Sequence, residues 1–202
     1  MNWNKEQSLL YYALCKWRTK PNNELENSYT LHRKTSTIAL NIMVIHAIAL
    51  ETVGLHYLIH KFSPSISWIA LLLNVYTVIF LIAQIQAIRL KPIIINEESV
   101  LFQVGLTKSI RVPYSNIRSF KPYDGPEKIP NKEKTHLFEA MVIDFTPEKP
   151  QFDLLLQEPI PAVFLYGIKK PIERIVIRVD EPQEFEMKIN QHILKYKKSM
   201  DS

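Results

Sequence analysis

Residues 66–88 carry no charged side chain, and this stretch constrains the chain more than any other feature. An α-helix rises about 1.5 Å per residue, so roughly 20 apolar residues cross the hydrocarbon layer of a bilayer, which is about 30 Å thick. A charge-free run of this length is rare in the helices of soluble proteins. The sequence therefore predicts a membrane-spanning helix here.

Another apolar run covers residues 37–59, on the N-terminal side of residues 66–88. Glu51 is the only carboxylate in this run. A short segment that contains Pro64 separates the two runs, which favours a tight connection between antiparallel helices. The sequence therefore predicts a transmembrane helical hairpin over residues 37–90.

Polar side chains inside the hairpin fall into pairs. Antiparallel packing places Glu51 at the depth of Asn74, and Asn41 at the depth of Gln84. A charge at the bilayer centre costs about 2.5–3.5 kcal/mol on insertion scales, so Glu51 should face protein or be protonated. Two interpretations stay open: hydrogen bonds that hold the helices together, and a proton relay or ligand site that also uses His46.

Basic residues flank the hairpin at one end. Arg33 and Lys34 precede the first helix, and Arg89 and Lys91 follow the second, whereas the connection holds only Lys61. The positive-inside rule then predicts a multi-pass protein of the inner cell membrane with both termini in the cytoplasm.

The 202 residues include 25 Lys and Arg and 20 Asp and Glu, which gives a net charge of +5. These charges are interleaved in the C-terminal half and no nucleic-acid-binding motif accompanies them, so we expect no nucleic-acid partner. The basic flanks of a membrane protein account for the excess. The single cysteine, Cys15, cannot form an internal disulfide, in agreement with a reducing compartment.

The rest of the chain divides into a cytoplasmic N-terminal tail, residues 1–36, and a cytoplasmic domain, residues 91–202. The tail contains a predicted amphipathic helix whose apolar side chains are Leu9, Leu10, Ala13, Leu14 and Trp17. This helix fits either a membrane surface or the cytoplasmic domain.

From residue 91 the apolar residues alternate, which predicts several short antiparallel strands. The clearest strand is residues 173–179, after a proline-rich connection over residues 158–172. An amphipathic helix follows, with Phe185 and Ile189 on its apolar face. Asp180 and Gln183 have the spacing of a capping box, so the sequence predicts Asp180 as the N-cap.

This arrangement resembles the bacterial PH-like membrane proteins. The features that carry the resemblance are the two apolar helices, a strand pair around Gly105, the segment RVPYSNI at residues 111–117, and IVIRVDEPQEF before the final helix. The resemblance covers residues 37–198. It implies an α+β membrane protein in which a partly open, seven-stranded antiparallel barrel is capped at one end by the C-terminal helix.

PH-like domains often bind lipid phosphates through basic residues on the first hairpin. Lys108 and Arg111 occupy that hairpin here, and Arg118 and Lys121 follow it. These four side chains are candidates for binding an anionic ligand, and a solvated basic face is the alternative interpretation.

The sequence contains no nucleotide-binding glycine loop, no zinc-protease motif and no serine-hydrolase motif. His56 and His60 are four residues apart and can share a helix face, with His46 about three turns earlier. The second apolar run offers no further metal ligand. We therefore expect a non-catalytic protein without a cofactor or metal.

The sequence predicts a membrane-anchored PH-like binding or scaffolding module that recruits a protein or lipid at the cytoplasmic face. Its expected partners are the bilayer and another membrane or cytoplasmic protein, and self-association stays open. Two alternatives remain. One is a membrane metal or redox enzyme that uses His46, Glu51, His56 and His60, and the other is an accessory or immunity factor of a membrane complex.

Overall fold

A computed structural model describes residues 27–127, 129–130, 134–145 and 148–200. The fold is α+β, as the sequence predicted: two long apolar helices, a strongly curled mixed sheet that forms a half-barrel, and a C-terminal helix. The amphipathic helix predicted for the tail lies outside the described residues.

The two apolar helices form the predicted hairpin. Helix α1 is Thr37–Phe62 and helix α2 is Pro64–Leu90, so Ser63 alone connects them. Proline suits the first position of a helix, because the N–H that it lacks would have no intrahelical partner there. Both helices are long and apolar enough to cross a membrane.

Eight strands make up the sheet in the described part of the chain. They are β1 (Ser28–Tyr29), β2 (Ile93–Ile95), β3 (Ser99–Val104), β4 (Lys108–Pro113), β5 (Ile117–Pro122), β6 (Leu137–Ala140), β7 (Phe152–Phe164) and β8 (Lys169–Ile177). Their spatial order is β1-β2-β3-β4-β7-β8-β6, and β5 pairs with β7. The pair β6–β8 is parallel, which differs from the purely antiparallel barrel that the sequence predicted.

Strand β7 overturns the predicted proline-rich connection. It continues through Pro159 and Pro161 and pairs with β8 on both sides of a register shift between Leu155 and Ile160. Proline donates no ladder hydrogen bond and is tolerated at such irregular positions. The strand therefore bends at the prolines but does not end there.

The C-terminal helix α3, Pro182–Met200, closes the half-barrel. Its side chains Phe185 and Ile189 are completely buried, as the sequence predicted. The Phe185 ring lies 5.2 Å from the ring of Tyr29 and 5.8 Å from that of Phe152, measured between centroids. Strands β1 and β7 of the sheet thus contact the same face of α3.

The core of the half-barrel also includes residues from outside the predicted domain. Tyr29 and Leu31, from the segment assigned to the tail, and Ile88, from α2, belong to the same buried cluster as β2–β8. Ala83 and Ala87 are fully buried as well. The last two turns of α2 are therefore part of the sheet domain, and a boundary at residue 91 cuts through its core.

Candidate functional site

Polar side chains join α1 to α2. Asn74 Nδ2 donates a hydrogen bond of 2.7 Å to Thr52 Oγ1, and Ser67 Oγ lies 2.7 Å from His56 Nδ1. The sequence predicted Glu51 as the partner of Asn74, and this pairing is wrong by one residue. Successive helix residues point about 100° apart, so only one of the two side chains faces Asn74.

Glu51 is exposed near the middle of α1. Its carboxylate makes no hydrogen bond or ion pair with any residue that the structure describes. In a bilayer, an ionised carboxylate at this depth costs about 2.5–3.5 kcal/mol. Inside a membrane this side chain therefore needs a proton or a partner from another molecule.

The predicted Asn41–Gln84 pair is also replaced. Asn41 Nδ2 donates to the carbonyl oxygen of Thr37 on its own helix, at 2.7 Å, whereas Gln84 Oε1 accepts a hydrogen bond of 2.9 Å from Leu106 N. Gly105 makes this approach possible, because its φ is +55° and a Cβ there would lie 2.6 Å from Gln84 Nε2. Gln84 thus fastens α2 to the turn between β3 and β4.

The three histidines of α1 do not converge with other metal ligands. His46 Nδ1 lies 2.8 Å from the carbonyl oxygen of Ile42, and the rings of His56 and His60 are 5.7 Å apart between centroids. Over the described ranges, no group of three or more His, Cys, Asp or Glu side chains is placed to hold a metal ion.

Asp180 binds the segment that precedes α1. Its buried carboxylate accepts hydrogen bonds from Thr30 Oγ1 at 2.6 Å, Arg33 N at 3.0 Å and Lys34 N at 2.9 Å. Burial raises the pKa of this carboxyl, but these three hydrogen bonds bring the pKa below its usual value.

The prediction that Asp180 caps the final helix is wrong. Helix α3 begins at Pro182, and Phe185 N donates to the carbonyl oxygen of Glu181, so the first helical turn starts after Asp180. The three donors before α1 occupy the carboxylate of Asp180 instead.

A second carboxylate continues the same attachment. Ser36 N lies 3.1 and 3.2 Å from the two carboxylate oxygens of Asp144, and Thr37 Oγ1 donates to the carbonyl oxygen of Ile143. We refer to Asp144 and Asp180 together as the acidic clamp. The clamp fixes residues 30–37 to the sheet domain, so the domain is attached to α1 as well as to α2.

His32 lies within the clamped segment. Burial lowers its pKa more than the nearby Asp180 carboxylate raises it, and the charges of Arg33 and Arg89 lower it further. Its Nδ1 atom is buried and has no hydrogen-bond partner among the described residues. The ring is therefore neutral at pH 7.

The four predicted anion-binding cations do not meet. Side chains alternate along a strand, so Lys108 shares the inner face of β4 with Ile110 and Val112, whereas Arg111 is exposed on the outer face. Lys108 pairs with Phe164 at the C-terminal end of β7. The other two, Arg118 and Lys121, are exposed on β5, which pairs with the opposite end of β7.

Lys108 instead lines a cavity of about 270 Å³, here called the junction cavity. It opens between the start of β4, the strand β6, the loop after β6 and the segment before α1. Its polar lining comprises Thr35, Lys108, Glu139, Asp144, Glu148 and Arg178. Asp144 of the acidic clamp therefore forms part of the cavity wall.

The Lys108 side chain is partly buried in this cavity. Its Nζ atom lies 5.5 Å from the centroid of the Phe138 ring. Burial lowers the pKa of the ammonium group, Glu139 acts in the opposite direction, and Lys134 adds to the lowering. In the described part of the chain, the ammonium group makes no hydrogen bond or ion pair.

A smaller cavity of about 240 Å³ lies between Asn27 and α3, lined also by Lys188, His192 and Lys195. The His192 ring stacks on Tyr114 with 5.6 Å between centroids. Burial lowers the pKa of His192, and the two lysines lower it further.

No family model matches this sequence, and comparisons with curated proteins and with solved structures also find no match. The site is therefore interpreted from its own geometry. Sequence reasoning missed the junction cavity because four parts of the chain that are far apart in sequence contribute to its wall. One signal was present: Lys108 stands at an inward position of its strand, two residues before Ile110.

Proposed function

We propose that this chain is a membrane-anchored PH-like module that recruits a partner at the cytoplasmic face and catalyses no reaction. The observation that supports this is the attachment of the sheet domain to both helices. Ile88 belongs to the domain core, and the acidic clamp fixes the segment before α1. The domain is thus held at a fixed position beside the membrane, which suits a recruiting module.

The basic residues around the hairpin support the proposed orientation. Arg33, Lys34, Arg89 and Lys91 lie at the end of the hairpin that carries the sheet domain, and Lys61 is the one Lys or Arg near the connection. By the positive-inside rule, the domain is cytoplasmic and the connection at Ser63 is external. The half-barrel with a helix against its core supports the PH-like assignment.

The exposed basic side chains of β4 and β5 are the proposed recruiting residues. They are Arg111 on β4 and Arg118 and Lys121 on β5, and their charge favours a partner with an extended acidic surface. Charges at the rim of an interface act on association more than on folding, so their reversal tests binding without unfolding the domain.

The test is affinity purification of the full chain in mild detergent, followed by mass spectrometry. We expect a partner that is captured by the wild type and lost from the double variant Arg111→Glu, Arg118→Glu. The matched control, Lys169→Glu with Lys197→Glu, reverses two exposed charges elsewhere and should retain the partner. Identical capture by all three chains would refute the role of these recruiting residues, and turnover by the purified protein would refute the non-catalytic assignment.

A second candidate function, an accessory subunit of a membrane complex, is favoured by Glu51. An exposed carboxylate in the middle of a membrane helix is stabilised when a second protein supplies a hydrogen-bond donor. Glu51→Gln keeps a hydrogen-bonding side chain and should remain in the complex, whereas Glu51→Leu should be lost from it. Equal retention of both variants would contradict this candidate.

A further inference from the structure

The junction cavity lies at the edge of the proposed membrane. Thr35 lines it and stands two residues before the start of α1. Two large apolar side chains are exposed beside it, Ile143 at 80% and Phe145 at 51%. Apolar side chains next to the end of a membrane helix gain free energy by entering the headgroup region. The mouth of the cavity is therefore within reach of lipid headgroups.

The charged side chains in and beside the cavity differ in whether they form an ion pair or a hydrogen bond. Arg178 forms an ion pair with Glu148 and donates to the carbonyl oxygen of Lys149, and Lys134 Nζ lies 3.4 Å from Glu139 Oε1. Lys108 is the exception among these charged groups, as its ammonium makes no such contact within the described ranges. A partly buried ammonium whose described contact is the Phe138 ring retains part of its desolvation cost, and an anionic ligand would offset that cost.

The surrounding carboxylates restrict which anion fits. Glu139, Asp144 and Glu148 outnumber the two cations of the lining, Lys108 and Arg178. A headgroup with several negative charges would be repelled by these three acids. A headgroup that combines one phosphodiester with an amine satisfies both signs, because the phosphate pairs with an ammonium and the amine with a carboxylate.

We propose that the junction cavity binds the headgroup of a zwitterionic aminophospholipid, whose phosphate contacts Lys108 and whose amine faces Glu139 and Asp144. This inference rests on the proposed membrane location of the hairpin. The acyl chains of the bound lipid extend from the mouth of the cavity into the bilayer, past Ile143.

The test is native mass spectrometry of the delipidated full chain in detergent, titrated separately with phosphatidylethanolamine, phosphatidylglycerol and inorganic phosphate. We expect tight binding of phosphatidylethanolamine and weak binding of the other two. Lys108→Met keeps an apolar stem but removes the charge, and should weaken binding of phosphatidylethanolamine about tenfold to a hundredfold. The matched control Lys197→Met, at an exposed position of α3 away from the cavity, should bind like the wild type.

A second variant keeps the test informative if Lys108→Met is poorly folded. Glu139→Gln removes a negative charge and should reduce the preference for phosphatidylethanolamine over phosphatidylglycerol. The proposal is overturned if phosphatidylglycerol binds as tightly as phosphatidylethanolamine, if inorganic phosphate binds as tightly as the lipid, or if folded Lys108→Met binds like the wild type. Partner capture should be unchanged in Lys108→Met, so failure of this inference is distinguishable from failure of the proposed function.

Discussion

Asp180 is the residue on which the attachment of the domain most depends. The residue is 2% exposed, and its carboxylate accepts one hydroxyl and two backbone hydrogen bonds from a segment that begins 150 residues earlier in the chain. Hydrogen bonds to a charged group contribute about 1.5–3 kcal/mol each in mutational series, and such contributions do not add independently.

Asp180→Asn should therefore destabilise the full chain by about 2–4 kcal/mol. Arg33 N and Lys34 N donate to different carboxylate oxygens, and an amide keeps only one oxygen, so its NH₂ group would face the N–H of one of the two. The measurement is thermal or denaturant unfolding in detergent. Asp124→Asn, at an exposed position, should change stability by no more than about 0.5 kcal/mol. A similar small effect at both positions would contradict the role of the clamp.

His32 predicts how stability depends on pH. Its pKa is lowered in the folded chain, mainly by burial, so the unfolded chain binds the proton at a higher pH than the folded chain does. The free energy of unfolding therefore increases with pH. The contribution of His32 to it is lost as the pH falls below about 6.5, the ordinary pKa of histidine. The melting temperature of the full chain should be lower at about pH 5.5 than at about pH 7.5.

The matched variant is His32→Gln, which cannot titrate in this range. It should reduce the pH dependence but not abolish it, because the pKa of His192 is shifted in the same direction. A melting temperature of the wild type that is constant or higher at the lower pH would show that His32 is not buried as described.

Among the elements, α3 provides the sharpest test of the fold. The Phe185 ring packs against Tyr29 from β1 and Phe152 from β7, so it contacts two strands that are not neighbours in the sheet. Phe185→Ala should lower stability by about 3–5 kcal/mol, the usual cost of truncating a buried phenylalanine. Asn190→Ala, exposed on the same helix, should be nearly neutral. Equal melting temperatures for the two variants would mean that α3 does not close the half-barrel.

The elements also differ in how well the sequence predicted them. The two apolar helices and the buried face of α3 follow from length and periodicity alone, because each pattern has one favourable structure. The first half of strand β7 matches a strand predicted at residues 151–157. Its second half, residues 158–164, was predicted as a connection because proline usually ends a strand, whereas pairing with β8 accommodates Pro159 and Pro161 here. Among the site residues, Glu51 and Thr52 are adjacent, and only the rotation of the packed helices decides which one faces Asn74.

For the whole molecule, the core and the proposed membrane anchor cannot be separated at residue 91. A fragment that begins there lacks Tyr29, Leu31 and Ile88, which are all buried in the core. Each large apolar side chain contributes about 1.5–3 kcal/mol when buried, against a total stability of about 5–15 kcal/mol for a typical domain. We expect the fragment 91–202 to show no cooperative unfolding transition by circular dichroism.

The control for this prediction restores the missing residues without the hairpin. A variant in which a flexible glycine–serine linker replaces residues 38–82 keeps β1, the clamped segment and the end of α2. It should unfold cooperatively. A cooperative transition in the fragment 91–202 would instead show that the core is complete without them.

The bond between Thr30 and Asp180 has a consequence for biosynthesis. The two residues are 150 positions apart, so at about 5–20 residues per second the ribosome adds Asp180 roughly 8–30 s after Thr30. Both apolar helices have left the peptidyl-transferase centre well before that moment. Insertion of the hairpin can thus precede closure of the sheet. Until Asp180 and α3 are synthesised, Tyr29 and the apolar side chains of β2 stay uncovered in the nascent chain. During that interval the nascent chain is a substrate for chaperones or proteases.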